Sequence, residues 1–140
     1  MSRATNNVVA SIRVLIVEDC EDDAVLLIHE LKRAAADVAW RRVDNPSAMR
    51  DALIDDDWDL VISDHSMPGF SSEDAYELMR RCGADIPFII YSGRFDQSKA
   101  LSAMAKGLHD LVEKGNLEKI LAVVRRELKT DAQGLAHAGV

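Results

Sequence analysis

The sequence predicts a doubly wound α/β domain, a five-stranded parallel sheet covered by helices on both faces. Three observations point there. Short apolar runs alternate five times with segments of helical periodicity, and such alternation implies right-handed crossovers that cover both sides of one sheet. The apolar runs are continuous, as in Leu60–Val61–Ile62, which suits strands buried on both faces. A chain of 140 residues is the length of one compact domain with a core of its own.

The elements follow in order. Ile12–Val17 is the first strand, and Ala24, Leu27, Ile28 and Leu31 form the apolar stripe of the first helix. A weaker strand, Val38–Val43, turns at Asn45–Pro46 into a short helix marked by Ala48, Leu53 and Ile54. Leu60–Ser63 is the third strand; the turn Met67–Pro68–Gly69–Phe70 leads to a helix with Ala75, Leu78, Met79 and Cys82 on one face. Phe88–Tyr91 is the fourth strand, and Ala100, Leu101, Met104 and Ala105 stripe the helix after it. Asp110–Val112 is a weak fifth strand, and Gly115–Asn116 opens onto a last helix carrying Leu117, Ile120, Leu121, Val124 and Leu128. Residues 1–10 and 131–140 read as tails around a domain at 11–130.

Acidic residues outnumber basic ones 24 to 17, for a net charge of −7. That sign disfavours nucleic acid or an anionic membrane surface as the main partner, since phosphates meet a repulsive field. No apolar run approaches the roughly 18 residues of a membrane span, and the first residues lack a secretory pattern. Cys20 and Cys82 lie far apart without metal-ligand spacing and read as reduced, partly buried thiols in a cytoplasmic chain.

In an open parallel sheet, ligands gather outside the carboxyl ends of the strands. The first strand ends in Glu18–Asp19–Cys20–Glu21–Asp22–Asp23, where a nucleotide-binding domain would carry a glycine-rich loop. Carboxylates repel bare phosphate but hold a hard divalent cation, and magnesium takes one or two of them. Glu21, Asp22 and Asp23 are read as favouring the positive end of the first helix, with Asp22 or Asp23 as its cap. Glu18 and Asp19 are assigned to a metal. The third strand delivers Asp64. A carboxylate there is costly unless compensated; a metal shared with Glu18 and Asp19 compensates it and leaves one oxygen of Asp64 as a nucleophile toward phosphorus. The fourth strand ends at Ser92–Gly93, a hydroxyl beside a small neighbour, and the fifth leads to Lys114, whose ammonium offsets the acids.

Two acids, an acid, a hydroxyl and an amine at successive strand ends, with 45, 28 and 22 residues between Asp19, Asp64, Ser92 and Lys114, resemble the receiver domain of two-component response regulators. The stretch Asp59–Leu60–Val61–Ile62–Ser63–Asp64–His65–Ser66–Met67–Pro68–Gly69 is similar to the family's most recognisable segment, and the resemblance runs from about Ile12 to about Lys129. It implies a flavodoxin-like, CheY-like (βα)5 fold with strand order 2-1-3-4-5. It implies phosphorylation of Asp64 by a sensor histidine kinase or phosphotransfer protein. Magnesium would be held by Asp19, Asp64 and the Ser66 carbonyl, with Glu18 reaching it through water, and Ser92 and Lys114 would bind phosphoryl oxygens. Output would pass by protein contact from a monomer or a weak, phosphorylation-dependent homodimer.

Two departures qualify the resemblance. Leu111 stands where many members carry a switching aromatic, three residues before the lysine. Gly115–Asn116–Leu117 follows Lys114 where many have proline, as in receivers that stand alone or accompany sensory and kinase modules. Tyr91, Trp40 and Trp58 are read as structural, the two tryptophans at sheet margins. His65 and Arg94 stand near enough to tune access to the site, His29 and His109 have no metal partner, and Asp55–Asp56–Asp57 is read as a solvated loop. Two other readings stay open: a degenerate receiver acting as a scaffold, and a magnesium-dependent aspartyl-phosphate phosphohydrolase. The second lacks the acid such enzymes place two residues after the nucleophile, since position 66 is Ser.

Overall fold

Alternation along the central strands decides the architecture. In the first, Val14 and Ile16 face one side while Leu15 and Val17 face the other, and all four are fully buried, so helices must cover both faces. The structure is a computed structural model and describes residues 9–65, 67–93, 110–116 and 118–127. Its elements are β1 (Val9–Val17), α1 (Glu21–Leu31), β2 (Ala35–Val43), α2 (Pro46–Asp55), β3 (Leu60–Ser63), α3 (Ser72–Arg81), β4 (Phe88–Ser92) and β5 (Asp110–Glu113), followed by a helix over residues 118–127. The five strands are parallel in the order β2-β1-β3-β4-β5, which is the predicted fold class and strand order.

Two cores result, one on each face. The first gathers Ile12, Val14, Ile16, Leu60, Ile62 and Ile89 with Leu27, Ile28 and Leu31 of α1 and with Ile120 and Val124 of the last described helix. The second packs Leu15, Val17, Val61, Phe88 and Ile90 against Met49 and Ala52 of α2 and Ala75, Tyr76 and Met79 of α3. Phe88 is completely buried and meets the Tyr76 ring edge-on at 5.3 Å. Its truncation to Ala would cost about 3–5 kcal/mol. Helix starts are set locally. Asn45 accepts from the Ala48 amide at 2.8 Å ahead of Pro46, and Ser71 and Asp74 form a reciprocal capping box on α3.

Several expectations need correction. β1 begins at Val9 and β2 at Ala35, three residues earlier than their apolar runs, because parallel pairing extends the ladder through polar positions such as Ser11↔Asp37. The first strand thus enters the segment read as tail. Ile54 is 72% exposed, since a ten-residue helix turns its last residues away from the sheet. Cys20 and Cys82 are exposed rather than partly buried, lying at the ends of α1 and α3 rather than on their inner stripes. Trp58 is buried, donating its indole N–H to the Ala52 carbonyl at 2.9 Å, whereas Trp40 lies on edge strand β2 and is 46% exposed. The helix expected over Ala100–Ala105, together with Arg94 and His109, lies outside the described residues.

Candidate functional site

Backbone pairing runs one residue past the strand ends and fixes the site's frame. The Glu18 amide donates to the Val43 carbonyl at 2.9 Å, the Asp64 amide to Val17 at 2.8 Å, and the Lys114 amide to Ser92 at 2.8 Å. Glu18, Asp64 and Lys114 are therefore held at one edge of the sheet by the same ladder that builds it. The Ser63 hydroxyl donates to the Asp64 carbonyl at 3.0 Å, which further restrains the turn out of β3.

The side chains converge. Carboxylate oxygens of Glu18, Asp19 and Asp64 lie within 4.8 Å of one another. Glu18 and Asp64 are buried and Asp19 is exposed, so the cluster opens to solvent on the Asp19 side. Lys114 Nζ stands 2.8 Å from Glu18 Oε2, 2.7 Å from Asp23 Oδ2 and 3.4 Å from Asp64 Oδ2. Glu18 Oε1 also accepts from the Cys20 amide at 3.1 Å. Ser92 ends β4 with 1% exposure, opposite Glu113 in the ladder. A Cβ on Gly93 would meet Lys114 Cδ at 3.7 Å, so the lysine stem lies directly along this small residue. Ser66 lies outside the described residues.

Charge is concentrated here. Among the described residues, Glu18, Asp23 and Asp64 all pair with the ammonium of Lys114, and Asp19 lies beside Glu18 and Asp64. Burial pushes the Glu18 carboxyl up to about 7, against the opposing pull of its bonds from Lys114 and Cys20. Burial alone would lower the Lys114 ammonium, but its bonds to Asp23 and Glu18 outweigh that and hold it above the ordinary lysine value. The same ammonium holds the Asp23 carboxyl below its usual range. Oxygen donors close together and partly open to water are the chemistry a magnesium ion requires, so these residues fit that ion.

Asp23 is the residue that sequence reasoning missed. It was read as favouring the positive helix end or as a cap, yet the N-cap of α1 is Cys20 and no side chain caps it. Asp23 lies on the same helical face as the buried Leu27 and Glu30, so the 3.6-residue period already aimed it inward. Other neighbours also have duties. His65 is half-buried, and its Nδ1 shares a 2.6 Å hydrogen bond with the buried Ser72 hydroxyl. Tyr91 is buried, and its hydroxyl accepts from the Gly115 amide at 3.4 Å. Burial also raises its phenol above the ordinary value. Gly115 has φ +95°, a conformation proline cannot adopt. Leu111 is half-buried and packs against the α2–α3 core.

Comparison with known proteins agrees with this fold. Residues 14–125 match the family described as the response regulator receiver domain. A Bacillus subtilis (strain 168) protein, the uncharacterized transcriptional regulatory protein YrkP, is 31% identical over 119 residues, covering 81% of this chain. The chain spans about half of that relative's length, 50%. Among solved structures, the signal receiver domain of a protein described as a Luxo repressor from Vibrio parahaemolyticus superposes with TM-score 0.78 at 23% identity, covering 90% of this chain and 97% of that one. The receiver domain of Francisella response regulator 1452 gives 0.74 at 15%, covering 86% and 98%. The receiver domain of a histidine kinase from Syntrophus aciditrophicus gives 0.70 at 24%, covering 85% and 91%.

Proposed function

The chain belongs to the response regulator receiver domain family, and from that premise we propose that it is a phosphorylation-dependent signalling module with Asp64 as phosphoacceptor. The carrying observation is the placement of Asp64: a buried carboxylate at the end of the central strand, 3.4 Å from Lys114 and clustered with Glu18 and Asp19. A sensor histidine kinase or phosphotransfer protein presents phosphohistidine. A carboxylate oxygen of Asp64 attacks phosphorus in line; the new O–P bond forms as the P–N bond breaks, and the electron pair leaves with the imidazole.

The protein's part is positioning and neutralisation. The Ser92 hydroxyl donates to one phosphoryl oxygen and Lys114 pairs with another. Glu18, Asp19 and Asp64, with the Ser66 carbonyl, would hold magnesium, which would supply positive charge against the transferring group. Movement of Ser92 and Lys114 toward the phosphoryl group shifts the loops after β4 and β5 and changes the outer face offered to a partner. With Leu111 in place of an aromatic, that shift depends on the loops rather than on an inward ring rotation.

The working form is a cytoplasmic monomer or a weak homodimer that forms on phosphorylation, and its contacts are with protein rather than nucleic acid. Among the described residues no helix is long and apolar enough to cross a membrane. The decisive experiment incubates the full chain with magnesium and a radiolabelled small phosphodonor, with Asp64→Asn alongside. Acid-labile label is expected on the wild type and none on the variant. Equal labelling of both, or none on either, would overturn the assignment, the second result leaving a binding scaffold.

A further inference from the structure

Lys114 is held from two sides. Glu18 and Asp64 approach it from the strand ends, but Asp23 reaches it from α1, at the shortest of the three distances. An ammonium has three donors, and three carboxylates face it. A group carried on Asp64, now 3.4 Å away, draws the amine toward it and competes with the two shorter contacts.

Exposure decides which of the two gives way. The Glu18 side chain is 5% exposed, so separating it from the amine would strand a buried carboxylate. The Asp23 side chain is 38% exposed, and water can take over what the amine gives up. We propose that Asp23 is a positioning residue that tethers Lys114 to α1 in the resting protein and competes with a phosphoryl group on Asp64 for it. The tether also joins α1 to the residue that follows β5, so its release loosens that connection. Asp23 stands outside the Glu18–Asp19–Asp64 cluster. The inference rests on the reading of Asp64 as phosphoacceptor and deepens it into regulation of the same site.

The test is a calorimetric titration of the full chain with beryllofluoride, a phosphoryl mimic, at saturating magnesium, paired with titration of magnesium alone. Asp23→Asn is expected to tighten beryllofluoride binding roughly three- to tenfold, the scale of a partly exposed ion pair, without tightening magnesium. Asp23→Glu, which keeps the charge, is expected to stay near the wild-type value. Asp22→Asn removes the same charge from an exposed neighbour and is expected to change binding less than twofold. An unchanged or weakened Asp23→Asn, or an equal gain in Asp22→Asn, would overturn the tether while leaving the phosphoacceptor intact. A wild type that binds no beryllofluoride would overturn both.

Discussion

Two acidic clusters of similar size lie in this chain, and they have opposite fates. Glu18–Asp23 contributes five acids and Asp55–Asp59 four. In the second, the described side-chain contacts of the acids are with an arginine or its backbone. Asp55 pairs with Arg41 at 3.1 Å, Asp56 with Arg13 at 2.7 Å, and Asp59 accepts from the Arg13 amide at 2.8 Å. Arg13 also lies over the Trp58 ring at 5.8 Å. These acids are solvated, as expected, with Asp55 and Asp56 side chains 56% and 41% exposed, and they reach β2 and β1 through exposed pairs. From the first cluster, Glu18 and Asp23 meet Asp64 at Lys114, and Glu18 and Asp64 are buried. Clustered charge does not define a site; burial of that charge does.

Three measurements press on this contrast. The largest effect is expected from Lys114→Ala, which removes the ammonium that both Glu18 and Asp64 face. Stability by urea unfolding in the absence of magnesium should fall by about 2–4 kcal/mol, and millimolar magnesium should restore part of it. A loss under about 0.5 kcal/mol would mean the cluster is not electrostatically strained.

Next comes pH. Folded Glu18 keeps its proton up to about 7, against an ordinary carboxyl value of 4.5. Between these values the folded state binds a proton that the unfolded state has released. This contribution to stability is therefore fully present below about 4.5 and lost as pH rises through about 7. Metal-free wild type should lose about 1–3 kcal/mol from this group across that window, and Glu18→Gln should flatten the slope. A slope unchanged in the variant would assign the titration elsewhere.

The smallest effect is expected in the other cluster. Asp56→Asn removes an exposed pair in which both side chains are more than 40% accessible. It should cost at most about 1 kcal/mol, less at high salt. A larger, salt-insensitive loss would make the two clusters energetically alike.

Much of this was legible in the chain. Continuous apolar strands such as Leu60–Ile62 announced burial on both faces, and the residues at their carboxyl ends announced Glu18, Asp19, Asp64 and Lys114 as neighbours. Asp23 was harder to see, because a carboxylate in the first turn of a helix already has an adequate local explanation in the helix dipole. Only the chain's return through β5, 91 residues later, shows what it touches. The exposure of Cys82 and Ile54 was missed for a similar reason, since periodicity marks a helix face but not where that face stops meeting the sheet.

The sequence by itself determined the layers, the strand ends and the residue types gathered there, because periodicity and turn chemistry are local and repeat at every element. Tertiary structure alone decided the distances among Glu18, Asp23, Asp64 and Lys114, and with them which acid is buried and which stays open to water. Those quantities depend on burial and on pairs far apart in the chain, where a difference of an ångström, or of a solvent-facing side, changes the energy of a charge by more than any local propensity does.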